Sequence, residues 1–260
     1  MNENFTLSHH SAISKSPNDV FYLLTMHLTL YHLVQSRSQR ILWLLEKLNL
    51  DYDLKIYQKH LDKNQQDELK KLNPFAQFPT LLISNNQHSS STVLTETSAI
   101  ADYLSYATQQ LGIQELQTQQ VIDFYFWKNF SESNFMPNLA LKQIFSRIVQ
   151  RTPFPVHYLA QFFKYAFDQG FLNKTLHQQM QMIEQQLATQ VWIAGENFTI
   201  ADILLWFPLQ ACFELDADFQ QYSEIQRYLL QIQSRPAFQT ALKKGQWSAQ
   251  VFQKYGSNAY

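Results

Sequence analysis

The sequence contains almost no cysteine, little glycine and nearly no net charge. One of its 260 residues is cysteine, five are glycine, and the formal net charge is −1. The single cysteine, Cys212, excludes an intramolecular disulfide framework and fits a reducing compartment, which predicts a cytoplasmic protein. The shortage of glycine favours long helices over a turn-rich β protein. The balanced charge gives no electrostatic reason to expect a nucleic-acid partner.

Long hydrophobic runs are also missing, so we expect neither a membrane span nor a membrane partner. Residues 1–25 are polar, and their short apolar piece at 20–24 has no basic start and no small-residue cleavage site. A signal peptide is therefore not expected. We expect residues 1–25 to be a disordered extension, or a start assigned too early, with Met26 as the first functional residue. The pair His9-His10 lacks a nearby third ligand, and no metal site is predicted.

The first part of the chain alternates strand-like and helix-like patterns. Serine precedes a run of apolar residues at helical spacing in 36–48, which is typical of a helix N-terminus. The predicted strands cover 28–32, 50–56, 78–83 and 92–95, and the predicted helices cover 36–48, a weak one within 58–72, and 98–106. The order β–α–β–α–β–β–α predicts a small mixed sheet with helices packed on it.

The second part of the chain reads as helices alone, after a polar linker at 108–118. The predicted helices are 119–150, 153–168, 173–189, 200–214, 221–233 and 236–243. Aromatic residues make up 15% of the chain. Those between 124 and 167, such as Tyr125, Trp127, Phe130 and Tyr158, are expected mostly to pack in the core, with the lining of a pocket as the alternative.

One helix start in this part has a clear signal. Thr199 and Asp202 have the spacing of a capping box, and Phe198 with Ile203 has that of a hydrophobic staple. The following helix is apolar all round, so we expect it to be buried, with Cys212 as a small core residue. Its internal Pro208 predicts a kink. We interpret the box as structural rather than catalytic.

The stretch 73–103 has the features of a site for an extended, peptide-like ligand. Pro79 lies at the start of a strand-like run, where it costs no ladder hydrogen bond, and a cis bond there would turn the Phe78 backbone toward a ligand. Glu96 and Thr97 stand at the start of a helix, whose first N–H groups are unpaired and attract anions.

These segments together resemble the glutathione transferase family over nearly the whole chain from Met26. The resembling residues are Ser36-Arg37-Ser38-Gln39-Arg40-Ile41-Leu42-Trp43-Leu44-Leu45 with Leu50-Asp51-Tyr52, then Asn73-Pro74-Phe75-Ala76-Gln77-Phe78-Pro79, Leu94-Thr95-Glu96-Thr97-Ser98-Ala99-Ile100 and Phe198-Thr199-Ile200-Ala201-Asp202. Trp127 with the segment 132–137 is similar to the bacterial and fungal subgroup that has serine at the first helix. The resemblance implies an α/β thioredoxin-like domain at 26–107 and an all-α helical domain at 119–260, a cytoplasmic detoxification enzyme, and a homodimer.

The resemblance also implies roles for particular residues. The Phe78 backbone would pair with the cysteinyl amide of glutathione, with Pro79 cis, while Glu96 and Thr97 would hold the γ-glutamyl end. Gln77 stands where the subgroup often has lysine; other classes carry glutamine there, so Gln77 is kept as a glutathione contact. Ser36 would donate to the glutathione sulfur, with Ser38 and Tyr31 as alternatives for that role. Glutathione is expected as co-substrate without a metal, and the contacts of its glycine carboxylate are guesses only: Lys59, His60 and Lys63.

The residue type at the first helix separates the possible activities. Family members that exchange thiols and disulfides have cysteine there, whereas this chain has Ser36-Arg37-Ser38, so a mixed-disulfide reductase is disfavoured. The prediction is a glutathione transferase, in which the thiolate attacks an electrophilic, apolar substrate. A glutathione-dependent peroxidase, or a non-enzymatic binding or regulatory module, stays open as an alternative because fold alone does not fix function.

Overall fold

The computed structural model describes residues 26–85, 90–214, 217–248 and 252. The expectations for residues 1–25, a disordered extension or an early start, lie outside these described residues. Within the described part of the chain, no helix is long and apolar enough to cross a membrane.

The first half forms a four-stranded mixed sheet with helices packed against it. Its strands and helices, in chain order, are β1 (Met26–Leu33), α1 (Gln39–Lys47), β2 (Asp53–Tyr57), α2 (Lys63–Leu72), β3 (Thr80–Asn85), β4 (Ser90–Thr95) and α3 (Thr97–Thr108). The strand order is β2-β1-β3-β4, with β1 and β2 parallel and the other neighbours antiparallel. The predicted order of strands and helices is confirmed.

The second half is helical, also as predicted. Its helices are α4 (Thr118–Phe130), α5 (Met136–Arg151), α6 (Val156–Phe167), α7 (Asn173–Leu187), α8 (Ile200–Phe213), α9 (Ser223–Gln233) and α10 (Pro236–Lys244). A π-helical turn at Ser131–Phe135 joins α4 to α5, and a second at Asp168–Leu172 joins α6 to α7. The predicted helix at 119–150 is thus one long helix interrupted by a π bulge, a feature often found at functional sites.

Helix α8 is the centre of the core. All its residues from Ile200 to Cys212 are buried, which confirms the interpretation of the apolar run. The capping box is present: Thr199 N and Ile193 N donate to the Asp202 carboxylate at 2.8 and 2.9 Å, and Tyr228 Oη donates at 2.9 Å. Burial raises the pKa of Asp202 to about 6, although these hydrogen bonds oppose the shift. The box therefore fastens the start of α8 to the Ile193 backbone and to Tyr228.

Some aromatic residues of α4 and α6 are exposed, although the sequence predicts that most of them pack in the core. Trp127 and Phe130 are buried as expected, but Tyr125 and Tyr158 are exposed, so the core assignment is wrong for these two. Helix α6 has no buried residue at all. Periodicity alone misplaced them because an apolar helix face looks the same whether or not another element covers it.

Candidate functional site

The strand register brings three separate loops to one end of the sheet. Tyr31, near the end of β1, is paired with Thr80 at the start of β3, and Thr80 is paired with Thr95 at the end of β4. The chain leaves β1 toward Ser36, enters β3 from Pro79, and leaves β4 into Glu96. Neighbouring strands lie about 4.8 Å apart, so these three loops span roughly 10 Å along the sheet edge. The structure therefore brings the sequence-predicted site residues together.

The middle of the three loops, which enters β3 through Phe78 and Pro79, exposes backbone groups that a ligand could contact. The Phe78–Pro79 peptide bond is cis, as the resemblance implied, and Pro79 is buried. The Phe78 ring packs on Tyr57 with centroids 5.3 Å apart. Neither the amide nor the carbonyl of Phe78 hydrogen bonds to a described residue. Gln77 is exposed beside it, and its carbonyl accepts from Thr80 Oγ1 at 2.7 Å.

The third loop presents a carboxylate and a helix N-terminus. Glu96 has φ of 67°, in the left-handed region that a non-glycine residue adopts only under constraint. Its exposed side chain makes no capping hydrogen bond to α3. The first intrahelical bond runs from Ile100 N to Glu96 O, so the amides of Thr97 to Ala99 have no acceptor within the helix. An anionic group of a ligand could accept from these amides, next to the Glu96 carboxylate.

The first loop contains two serines linked to a buried histidine. Ser36 Oγ and Ser38 Oγ are 2.9 Å apart, and Ser38 Oγ is 2.7 Å from Nδ1 of His32, a residue with no exposed surface. His32 Nε2 lies 3.2 Å from the Gly245 carbonyl, beyond the end of α10. A Cβ atom at Gly245 would meet Gln39 Oε1 at 2.1 Å and Leu42 Cδ2 at 2.9 Å, so a larger residue there would have to displace these two side chains.

The partners of His32 fix the direction of these hydrogen bonds. A carbonyl can only accept, so His32 Nε2 carries the hydrogen and donates it to Gly245. Burial lowers the pKa of His32 to about 4, so the ring is neutral near pH 7 and its Nδ1 accepts the Ser38 hydrogen. Ser36 keeps its own hydrogen, with Leu33 O and Ser38 Oγ both at 2.9 Å as internal acceptors. Ser36, at the half-buried end of this network, is the serine that can redirect its hydrogen to a ligand.

His32 also predicts a pH dependence of stability. The unfolded chain binds a proton at His32 below about pH 6.5 and the folded protein only below about pH 4, so its contribution is complete above pH 6.5 and lost as the pH falls toward 4. Between pH 7 and 4.5 the wild type should lose about 2.5 kcal/mol more unfolding free energy than His32→Asn. Urea unfolding of both proteins at the two pH values measures this, and equal losses would contradict the assignment.

The remaining candidates lie elsewhere around the site. Tyr31 points to the opposite sheet face from His32, where its hydroxyl accepts from Lys55 Nζ at 3.3 Å. Lys59, His60 and Lys63 are all exposed near the end of β2. Among the residues that the structure describes, no group of three His, Cys, Asp or Glu side chains could hold a metal ion.

Two family models match the chain. The glutathione S-transferase N-terminal domain matches residues 26–106, and the glutathione S-transferase C-terminal domain matches residues 158–236. The chain belongs to the glutathione S-transferase family. This membership agrees with the thioredoxin-like sheet and the helical second half, and confirms the predicted fold class and resemblance.

Individual glutathione S-transferases agree with this assignment. Glutathione S-transferase 3 of Schizosaccharomyces pombe is 27% identical over 223 residues, covering 84% of this chain and 87% of its own. A glutathione S-transferase structure from Actinobacillus pleuropneumoniae is 30% identical with a TM-score of 0.64, covering 86% of this chain and 99% of its own. A family member from Pseudomonas fluorescens, with two glutathione molecules bound, is 18% identical with a TM-score of 0.61, covering 87% of this chain and 99% of its own. This last similarity shows the fold alone.

In this glutathione S-transferase, a buried arginine joins the two halves of the chain. Arg40 has no exposed surface; it forms an ion pair with Glu132 in the π-helical turn, and its Nη1 donates to Leu204 O at 2.7 Å. Arg37, two residues from the N-terminus of α1, is exposed. The spacing of the two arginines gives no reason to separate them. The sequence feature that could have pointed to Arg40 is its acidic partner Glu132, which lies in the segment 132–137 that resembles the family.

Proposed function

We propose that this protein is a glutathione transferase that activates the thiol of glutathione as a thiolate for attack on an electrophilic, apolar substrate. The observation that carries the proposal is the strand register, which brings Ser36, the Phe78–Pro79 backbone and Glu96–Thr97 to one end of the sheet. Residues 26–107 would bind glutathione, and residues 119–260 would form the helical domain after the linker at 108–118. Removal of reactive electrophiles would be a detoxification activity.

The dimensions and charges of the site suit an extended tripeptide. Three extended residues span about 10 Å, close to the width from the first to the third loop. The unpaired Phe78 backbone suits the central cysteinyl amide, and Gln77 beside it is a polar contact for the glycine end. Glu96 suits the ammonium of the γ-glutamyl end, while the free amides of α3 and the Thr97 hydroxyl suit its carboxylate.

The loop after β1, which contains Ser36, has the groups needed to activate the sulfur of glutathione. A free thiol is mostly protonated near neutral pH, and its thiolate is the nucleophile. Lowering a thiol pKa by about two units takes about 2.7 kcal/mol of preferential stabilisation of the anion. A hydrogen bond from Ser36 Oγ and the dipole of α1 together can supply this. Because the Ser38 hydrogen is donated to His32 and Tyr31 lies on the opposite face of the sheet, we assign the sulfur contact to Ser36.

The test of this function has two parts. The purified protein should be retained on a glutathione resin and be eluted by free glutathione, and it should conjugate glutathione to a chloronitroaromatic electrophile. Retention without conjugation of any electrophile or reduction of an organic peroxide would favour a binding module. Absence of both retention and turnover would refute the proposal.

Glu96→Gln should weaken glutathione binding without slowing chemistry. The variant removes the charge facing the ligand ammonium, and a hydrogen bond to a charged group is worth about 1.5 to 3 kcal/mol, so KM for glutathione should rise roughly tenfold or more. Steady-state kinetics with saturating electrophile separate KM from kcat. Glu115→Gln, which changes an exposed carboxylate in the linker, is the matched control. A large fall in kcat at unchanged KM would contradict the binding role of Glu96.

We also propose a homodimer, supported by an exposed apolar face on α3 and α4. Tyr106, Ile122, Tyr125 and Phe126 are each at least 46% exposed, and the Lys128–Asp102 ion pair joins the two helices beside them. Size-exclusion chromatography with light scattering should give a dimer, and Ile122→Glu should convert it to a monomer. A monomeric wild type would refute this. The chain has a single cysteine, Cys212, which is buried, and this supports a cytoplasmic location.

A further inference from the structure

Tyr57, the last residue of β2, contacts three segments that surround the site. Its side chain is buried, and its backbone carbonyl accepts from Val34 N at 3.0 Å, two residues before Ser36. Its ring is stacked on Tyr31 of the neighbouring strand, with the two centroids 6.1 Å apart. Because both its backbone and its ring are held by β1 and the loop after it, Tyr57 is a fixed neighbour for any residue that packs on it.

The ring of Tyr57 supports Phe78. The two ring centroids are 5.3 Å apart, with an angle of 46° between the ring planes. Phe78 is half-buried and packs against the small apolar cluster that contains Tyr57 and Leu69. Its backbone amide and carbonyl have no hydrogen-bond partner among the described residues, so the packing of its ring holds these two groups in their direction. A ring pair of this kind is attractive beyond the area that it buries.

The hydroxyl of Tyr57 contacts the third segment, helix α2. It donates to Glu68 Oε2 at 3.3 Å, and Lys55 Nζ donates to Glu68 Oε1 at 2.9 Å. Burial raises the pKa of Tyr57 to about 12, so the hydroxyl keeps its hydrogen near pH 7. Tyr57 therefore uses its ring and its hydroxyl for two different contacts, which separate substitutions can remove one at a time.

An aromatic pair in the helical half serves as a comparison for a purely structural contact. The rings of Phe145 on α5 and Phe167 on α6 have centroids 4.5 Å apart and are also half-buried. Neither helix carries a residue of the proposed glutathione site. Loss of that pair should affect stability alone, whereas loss of the Tyr57–Phe78 pair should also release the backbone groups of Phe78.

We propose that Tyr57 is a positioning residue for glutathione binding, whose ring holds the Phe78 backbone in the orientation that pairs with the cysteinyl amide. This role rests on the proposed function, since it acts through a backbone contact of that site. Ser36 makes its hydrogen bonds to Leu33 O and Ser38 rather than to this ring. Loss of the ring should therefore weaken glutathione binding and leave kcat and the pKa of the bound thiol near their wild-type values.

A double-mutant cycle on glutathione affinity tests the proposal. Calorimetric titration of Tyr57→Leu and of Phe78→Leu should each give a Kd for glutathione roughly two- to tenfold above that of the wild type, because each variant removes the ring pair. The double variant should bind no more weakly than the weaker single variant, since the contact is already lost. Tyr57→Phe keeps the ring and loses only the hydrogen bond to Glu68, so it should retain the wild-type affinity.

Phe167→Leu is the matched control, because it removes an aromatic pair from the other half of the chain. It should lower the melting temperature, as Tyr57→Leu does, and leave the Kd for glutathione unchanged. A wild-type Kd in either single variant, or additive effects in the double variant, would overturn the positioning role and leave the transferase assignment in place. A weakened Tyr57→Phe would also overturn it, by moving the effect from the ring to the hydroxyl. A wild type that does not bind glutathione would refute the proposed function and this role with it.

Discussion

Ser36→Ala is expected to lower kcat/KM for glutathione conjugation by roughly tenfold to hundredfold, because it removes a hydrogen bond to an anion worth about 1.5 to 3 kcal/mol. The same loss should raise the pKa of the bound thiol by about one to two units. Glutathione affinity should change little, since in the proposed site Phe78, Glu96 and Thr97 would hold the tripeptide. The measurements are the pH profile of kcat/KM, the thiolate absorbance of the complex, and calorimetric titration with glutathione.

Ser38→Ala is the matched comparison for this variant. Ser38 donates to His32 at 2.7 Å and accepts from Leu33 N at 3.1 Å, so its loss should reduce stability and leave the thiol pKa near the wild-type value. Ser36→Thr keeps a hydroxyl and should retain most of the activity. A raised thiol pKa in Ser38→Ala, with a normal one in Ser36→Ala, would move the sulfur contact to Ser38.

Asp202→Ala is expected to have the largest effect on stability. It leaves the buried donors Ile193 N, Thr199 N and Tyr228 Oη without their acceptor, and breaking a buried charged network of this kind costs about 3 to 5 kcal/mol. That is a large part of the roughly 5 to 15 kcal/mol typical of a folded domain. Urea unfolding at pH 7 measures the change, with glutathione binding as a separate check on the site.

Two milder variants calibrate this result. Thr199→Ala removes the hydroxyl that caps Ala201 N and donates to Asp202 at 3.2 Å, while the backbone donors to Asp202 stay, and should cost about 1 kcal/mol. Tyr228→Phe removes one of the donors to Asp202 and should cost about 1 kcal/mol as well. If Asp202→Ala were no worse than Thr199→Ala, the carboxylate would not be the common acceptor on which the start of α8 depends.

Local signals predicted the fold well because each of them acts within a few residues. The capping box at Thr199 and Asp202, the buried helix after it and the strand that begins after Pro79 were all readable from spacing. The location of Glu96 at a helix start was equally local. Its φ of 67° was not, because nothing in a sequence of ordinary residues marks a left-handed backbone at glutamate.

Features that depend on distant partners could not be predicted. His32 carried no motif, and its role follows from Ser38 six positions away and from Gly245 at the other end of the chain. Arg40 is buried only because Glu132 and Leu204 O meet it from the second half. The exposure of α6 is of the same kind: whether an apolar helix is covered depends on the packing of the whole chain, not on its own pattern.

The hydrogen bond from His32 to Gly245 also has a consequence for synthesis on the ribosome. It joins residues 213 positions apart, and Gln39 Nε2 donates to Ala241 O across 202 positions. At about 5 to 20 residues per second, roughly 10 to 40 seconds separate the appearance of the Ser36 loop from that of its final supports. The sheet can form early, but a nascent chain that ends before Gly245 lacks the partner that orients its serines. The loop assigned to the sulfur is therefore among the last parts of the protein to be completed.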